Sequence, residues 1–412
     1  MSIKKSAVAI TAGIVLLLFG VVADSSGKRT GSWRTLTPAQ DLSPGSPRWF
    51  VQADSLADTF RDIVALDTLT AWAVGSFNVK PVIFHTSDGG IHWIQQPVST
   101  TWSYIGWGVS FPDPRHGWVM GSEYRYLSTS NGGQSWQEHD FPARFDPTRV
   151  KFVDSLTGWI IGTSDTVLHT TDGGRTWVKQ LVGDYGGALF DLDFLSRTYG
   201  WVVGGGGSGR LILRTTDGGI VWQRFPGYFT TYQAVDLLDS LHGWFNSALG
   251  GVTFTFDGGV TWHDTTLPGS GNNSYSGLSF IDSLRGWTAG SGGFLRGQIL
   301  RTIDGGYSWS FEVQDSLVTL RRVTMLDSTH GWAVGENGLI LVYGVIVLGD
   351  LNWDKQITAT DVVLELNKVF LGEAFSSPEE AGDVNCDSSF SPADVVLLLL
   401  KVFLNQPFPC SV

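Results

Sequence analysis

The sequence predicts a mainly β chain, a seven-bladed β-propeller followed by a small α-helical module. A turn motif, T-x-D-G-G-x-x-W or a near copy, recurs six times and ends at Trp93, Trp136, Trp177, Trp222, Trp262 and Trp309. A second motif, G-W-x-x-G or a close variant, alternates with it at Trp72, Trp118, Trp159, Trp201, Trp244, Trp287 and Trp332. Successive tryptophans of this second set lie 41 to 46 residues apart, the length of four short strands and their turns. After Leu348 the repeat stops and the composition changes.

Composition and the N-terminus set the frame. With 412 residues, 42% hydrophobic and 16% charged, the chain can bury a large core in more than one domain. A net charge of -12 argues against nucleic acid or an anionic membrane as the main partner. Lys4 and Lys5, the apolar run Ala7 to Val22 and the small residues ending at Ala23 predict a signal peptide over residues 1–23, hence a secreted protein. An uncleaved signal is the alternative, and the one route to a membrane. Residues 24–44, rich in Ser, Gly, Pro and Thr, read as a linker, and the propeller is expected over 45–347.

The first strand of that region is an unusual one. The stretch from Gly45 to Trp72 aligns without gaps on the stretch ending at Trp332, and the pairs Trp49/Trp72 and Trp309/Trp332 are both 23 residues apart. Trp49 therefore begins an outer strand whose own hairpin is missing, while the last unit lacks an outer strand after Asn337-Gly338. Pairing Trp49 to Ala53 with the last blade is expected to close the ring.

The turn motif has a structural explanation. Its Asp oxygen can accept backbone N–H groups just ahead, and the Gly pair supplies positive φ at no steric cost. Asn131 replaces Asp in one copy and keeps the acceptor oxygen without a carboxylate's basicity. Most G-W motifs also have Asp five residues earlier, with Ser196 the exception.

Nine and seven residues before each G-W tryptophan stand apolar pairs such as Val150/Phe152 and Leu192/Phe194, the period of a strand with one buried face. Alternate positions carry Asp62, Arg149, Lys151, Asp191, Asp193, Asp236 and Arg322, which are expected to line the central channel. Loops entering these strands carry aromatics outside the repeat: Trp102, Tyr104, Trp107, Phe145, Tyr185, Phe190, Tyr228, Phe229, Tyr232 and Tyr275. By repeat symmetry they gather on one face, where Trp102, Tyr104, Trp107, Tyr185, Tyr228, Phe229, Tyr232 and Tyr275 form a candidate surface for a glycan or peptide.

These alternating G-W-x-x-G and T-x-D-G-G-x-x-W units resemble the Asp-box (BNR-type) propellers of the photosystem II assembly and stability factor family over about residues 45–347. The resemblance implies a fold more than an activity. A sialidase is disfavoured because the early chain has no R-I-P triplet, where that related family places its first substrate arginine.

Residues 348–412 carry a different signal. Asp350 to Asp361 and Asp383 to Asp394 are two loops in one register, with oxygen donors at positions one, three, five, nine and twelve and a backbone carbonyl at seven, the spacing by which an EF-hand-like loop wraps calcium. Each runs into an apolar helix, Val362 to Phe370 and Val395 to Phe403. The duplicated loop-helix unit resembles a type I dockerin, which implies calcium-dependent folding and docking onto a cohesin module of a scaffold or cell-surface protein. Carried over by position, two calcium sites are implied: Asp350, Asn352, Asp354, the Gln356 carbonyl, Thr358 and Asp361, then Asp383, Asn385, Asp387, the Ser389 carbonyl, Ser391 and Asp394. Lys355 and Ser388 stand where a Gly is usual, so a left-handed backbone there costs about 1–2 kcal/mol and weakens calcium binding. Cys386 and Cys410 are the two cysteines, and in an exported chain they are expected to form a disulfide contributing about 3 kcal/mol.

The reading that follows is a secreted, non-catalytic binding protein, carried to a larger extracellular assembly by its dockerin-like module and connected with polysaccharide breakdown. The alternative is a secreted glycoside hydrolase delivered by the same module. An enzyme needs a carboxylate pair or an activated nucleophile, and Asp191, Asp193 and Asp236 are the channel-side candidates.

Overall fold

The structure, a computed structural model, describes residues 34–35, 47–100, 108–122, 124–141, 146–163, 165–183, 187–206, 210–229, 231–269, 273–292, 296–316, 318–345, 347, 349–351, 356–371, 381–387 and 389–409. Seven antiparallel sheets follow one another along the chain, six of four strands and one of five. The first strands of the blades are Thr59–Ala65, Val109–Ser110, Pro147–Phe152, Ala188–Phe194, Tyr232–Leu237, Ser274–Phe280 and Leu320–Asp327, and each packs against the next until the last meets the first. They form the inner wall of a closed ring, so no blade is left with an open inner edge.

Closure comes from the N-terminal strand. Arg48–Ala53 pairs antiparallel with Ile340–Gly344, with Trp49 opposite Tyr343 and Phe50 opposite Val342. Arg34–Thr35, inside the segment read as a linker, adds a fifth strand outside it. Gln52 fastens the joint: its amide donates to the Gly89 carbonyl at 2.8 Å, while its oxygen accepts Trp93 and Trp332 indole N–H groups, each at 3.1 Å.

Neighbouring blades are joined by stacked rings. At four interfaces the G-W tryptophan of one blade lies on a phenylalanine from the inner strand of the next or the turn after it: Trp72 on Phe111 at 3.8 Å, Trp118 on Phe152 at 3.5 Å, Trp159 on Phe194 at 3.7 Å and Trp244 on Phe280 at 3.8 Å. In the same four the indole N–H reaches the first Gly carbonyl of the next blade's Asp-box turn, as from Trp159 to Gly218 at 3.0 Å and from Trp244 to Gly305 at 2.8 Å. Each of these four interfaces thus buries an aromatic pair and satisfies the indole N–H, while Trp201, Trp287 and Trp332 donate instead to Tyr199, Glu312 and Gln52.

The C-terminal module holds two helices, α1 (Ala359–Leu366), which continues into a π turn over Asn367–Leu371, and α2 (Pro392–Leu404). Thr358 and Ser391 cap them, and each forms a capping box with an Asp three residues on, Asp361 and Asp394. Leu351, Val362, Ala381 and Leu398 belong to the same apolar cluster as Phe50, Phe60 and Trp332 of the ring. Residues 1–33 lie outside the described residues, and among the described residues no helix is long and apolar enough to cross a membrane.

Candidate functional site

The Asp-box turns show what their aspartates do. In the blade-three copy, the Asp172 carboxylate accepts the Thr170 hydroxyl at 2.8 Å and the Thr176 N–H at 2.9 Å, while the Thr170 oxygen accepts the N–H of Gly174 at 2.9 Å. Both glycines of that turn have positive φ, 76° and 91°. Asn131 makes the same bonds with its amide oxygen, to Thr129 at 2.9 Å and to the Ser135 N–H at 3.0 Å. The aspartates before the G-W motifs are likewise turn formers: Asp239 accepts the N–H groups of Leu241 and His242 at 2.7 and 2.9 Å, and Ser196 does the same with its hydroxyl.

The polar residues expected along the channel are there. A cavity of about 380 Å³ is lined by Asp62, Arg149, Lys151, Asp191, Asp193, Asp236 and Arg322 together with apolar neighbours. The carboxylates stitch adjacent inner strands. Asp62 accepts the Val109 N–H at 3.0 Å, Asp191 that of Val235 at 3.1 Å, Asp193 that of Leu237 at 3.0 Å and Asp236 that of Phe280 at 2.6 Å. Ser110 and Ser279 do so for Phe152 and Met325. Side chains therefore supply the hydrogen bonds that a continuous sheet would make between these strands.

Charge in the channel is nearly balanced. Arg322 spans it, donating to Asp191 at 3.0 Å and lying 3.3 Å from Asp62, and Lys151 meets Asp193 at 2.7 Å. Burial works against the Arg322 charge, but Asp191 and Asp62 outweigh it and hold the guanidinium protonated. Asp236 is pushed up to about 7, by burial first and by the Asp193 charge second, against the Phe280 N–H, Lys151 and Arg322. Asp191 and Asp193 are thus tied to both a cation and a backbone N–H.

At the end of the ring where the inner strands begin, a wider cavity of about 530 Å³ is lined by Arg61, Arg149, Arg321, Phe190, Gln233 and Ser276 among others. Arg61 has a lowered proton affinity, through burial first and then through the Arg321 and Arg149 charges, while Glu336 acts the other way. Three guanidiniums thus share one concave mouth in an acidic chain.

The aromatic surface expected at this end is only partly present. Tyr228 is 67% exposed, and Phe229 is half-buried with its ring over Gly251. Tyr232 and Tyr275 are fully buried and are not surface residues. A register shift between Tyr232 and Ala234, and another between Tyr275 and Gly277, reverses the alternation and turns both rings into the blades. Their hydroxyls are satisfied inside, Tyr232 by Thr253 at 2.8 Å and Tyr275 by Gln298 at 2.7 Å. Trp102, Tyr104, Trp107, Phe145 and Tyr185 lie outside the described residues.

In the C-terminal module, the position-twelve carboxylates organise their loops. Asp361, fully buried, accepts the N–H groups of Leu351 at 2.8 Å and Thr358 at 2.7 Å, and Asp394, also fully buried, accepts those of Asn385 at 3.3 Å and Ser391 at 3.0 Å. In the second loop, Asp383 and Asn385 both accept the Asp387 N–H, at 3.0 and 2.9 Å. Among the described residues no three His, Cys, Asp or Glu side chains converge on one metal position. Asn352 and Asp354 lie outside the described residues, as do Lys355 and Ser388. Glu365, which the sequence reading missed, is fully buried in α1 with neither oxygen hydrogen-bonded, and it is pushed up to about 8 by burial and by Asp394, against Lys368, with Asp383 adding to the rise. A buried carboxylate without donors beside two loop carboxylates marks a place short of positive charge, which fits a cation in the second loop. No described cysteine is free, and Cys410 lies outside the described residues.

Comparison with known proteins agrees with this division. Residues 97–185 match the family described as photosynthesis system II assembly factor YCF48, and residues 348–405 match the dockerin type I domain. A photosystem II assembly lipoprotein Ycf48 from Synechococcus sp. (strain CC9902) is 26% identical over 171 residues, 40% of this chain. The chain spans about half the length of that relative, 47%. A solved YCF48 bound to D1 peptide superposes with a TM-score of 0.60 at 20% identity, over 75% of this chain and 97% of that one. A GH74 enzyme of Niastella koreensis gives 0.57 at 14%, over 75% of this chain and 53% of the enzyme. At such identities the solved structures speak for the fold alone. The chain is a seven-bladed Asp-box β-propeller similar to the photosystem II assembly factors, followed by a type I dockerin-like module.

Proposed function

We propose that this chain is a secreted, non-catalytic binding protein whose ring holds an acidic peptide segment at its cationic mouth. The observation that carries the reading is the convergence of Arg61, Arg149 and Arg321 on one cavity of about 530 Å³. Burial first, and the Arg321 and Arg149 charges second, disfavour the charge on Arg61, and a bound carboxylate offsets both, in addition to the pairs Arg321–Glu336 at 2.5 Å and Arg149–Asp191 at 3.6 Å. A propeller of the same fold, YCF48, has been solved bound to D1 peptide, which supports a peptide over a glycan.

The C-terminal module attaches the ring to a cohesin module of a larger extracellular assembly and folds around two calcium ions. Residues 350–361 and 383–394 supply the ligands by position, and a Cys386–Cys410 bridge ties down the tail. A glycoside hydrolase is the weaker reading, because Asp191, Asp193 and Asp236 are each committed to a backbone N–H of the next inner strand.

The test is titration of the full chain, in calcium, with a short Glu- and Asp-rich peptide and with the same peptide carrying Gln and Asn, alongside a polysaccharide hydrolysis screen. The acidic peptide is expected to bind the parent protein and to bind Arg61→Gln/Arg321→Gln about tenfold more weakly or worse. Equal binding of the two peptides, or turnover of a polysaccharide, overturns the reading.

A further inference from the structure

The groove between blades two and three lacks two things that other blade interfaces have. At four of the G-W tryptophans the residue directly across the strand covers the indole: His85 stacks on Trp72 at 4.6 Å, His169 on Trp159 at 4.8 Å, and the guanidiniums of Arg214 and Arg301 lie 5.5 and 5.1 Å from the Trp201 and Trp287 rings. Opposite Trp118 the residue is Ser128, whose hydroxyl contacts His139 at 2.8 Å. Three residues after the outer-strand tryptophan, blades one and three carry Gln96 and Gln180, and each donates to the first Gly carbonyl of the neighbouring Asp-box, at 2.8 and 2.9 Å. Blade two has His139 in that place. Among the described residues the corresponding carbonyl, Gly173, accepts only the Trp118 indole, at 3.2 Å.

A cavity of about 400 Å³ lies at this position, lined by Trp118, Ser128, His139, Asp172 and Gly173 among others. Blade four shows what fits such a place. There Phe225 stands where blades one and three have Gln, and Arg214 fills the space, stacking on Trp201 and Phe225 and donating to the Gly258 carbonyl of the next blade. Blade two has neither the glutamine nor the arginine. Its open acceptor, its indole and the Asp172 carboxylate match a flat, multiply donating cation. Exposed Arg175 sits at the rim, with Asp172 beside it as a counter-charge.

We propose that the groove between blades two and three is a binding slot for a guanidinium, the side chain of an arginine carried by a partner protein. The slot is separate from the mouth of the ring, and its existence does not depend on what the mouth binds. An extended partner segment presents such a side chain to the rim between blades, where it makes the contacts that Arg214 makes within this chain.

The full chain is titrated with the peptide acetyl-Gly-Arg-Gly-amide and with its citrulline counterpart, which keeps the shape and loses the charge, and binding is followed by calorimetry and tryptophan fluorescence. The arginine peptide is expected to bind at least about tenfold more tightly than the citrulline one. Ser128→Arg fills the slot from within and abolishes binding, while Ser128→Ala retains it. If the arginine variant does not fold, Ser128→His, the residue of two equivalent positions, is expected to block in the same way. Equal affinity for the two peptides, no binding of either, binding that survives in the filled variant, or displacement by the neutral disaccharide maltose each overturns the proposal.

Discussion

Asp236 gives the ring a pH dependence of definite sign. Its folded pKa of about 7 lies above the ordinary carboxylate value, because it is buried and sits beside Asp193. The folded state therefore binds the proton more tightly than the unfolded one, and this group's contribution is lost as pH rises from about 4 to about 7. Asp236→Asn keeps an oxygen for the Phe280 N–H and is expected to flatten that fall, as read from urea midpoints across the range. Asp172 of an Asp-box has the opposite sign: burial works to raise its pKa, but the Thr176 and Thr170 hydrogen bonds outweigh it and hold the carboxylate below the usual range, so its share is lost as pH falls. Asp172→Asn is expected to fold with a nearly unchanged midpoint, as Asn131 does in its own turn, and Asp172→Ala to lose about 1–2 kcal/mol. These roles were readable in the sequence because the repeat offers natural substitutions, Asn131 for the turn and Ser196 for the preceding bend. The roles of Asp191, Asp193 and Asp236 were not, since nothing local to them indicates a backbone donor from the next blade.

The N-terminal strand Arg48–Ala53 shows how far repeat logic reaches. Matching Trp49 to the outer-strand tryptophans located a strand that pairs with a segment nearly three hundred residues away, since one motif fixes register and partner together. Deleting residues 45–53 is expected to lower the thermal midpoint by many degrees, because it reopens the sheet edge and strips Gly89, Trp93 and Trp332 of their common partner. Gln52→Ala, a milder change, is expected to cost about 2–4 kcal/mol by leaving two buried indole donors and one carbonyl unpaired. An unchanged denaturation midpoint in the deletion variant contradicts the closure. The reading of Tyr232 and Tyr275 as loop aromatics on a surface failed, because both lie inside the inner strands with buried rings. A one-residue irregularity early in the inner strand recurs in blades one, three, four, five, six and seven, and it shifts the face of everything before it. Because the bulge leaves no mark in composition, loop aromatics and core aromatics looked alike.

The assembled chain joins a ring held by packing to a module that buries carboxyl groups beside its two loops. The ring is closed by aromatic stacks and strand pairing, which need no cation. The C-terminal module places Asp361, Asp394 and Glu365 out of solvent within two short helices and their loops, an arrangement that favours a divalent ion over empty loops. Chelation of the full chain is therefore expected to remove the helical part of the far-ultraviolet circular dichroism while the strand signal persists, and added calcium to restore it. Glu365→Leu, which gives α1 the residue that α2 carries at Leu398, removes a buried carboxyl group that has no hydrogen-bond partner and is expected to raise the helices' resistance to chelation. The two parts are not independent, because Leu351, Val362 and Leu398 share an apolar cluster with Phe50 and Phe60 of the closing blades. Loss of the ion is thus expected to lower the ring's own melting midpoint by a few degrees, since it exposes that cluster. A dichroism spectrum that stays unchanged in chelator shows the helices to be held by packing alone and removes calcium from the account. A ring midpoint that stays fixed while the helices melt instead shows that the shared cluster carries no stability between the two parts.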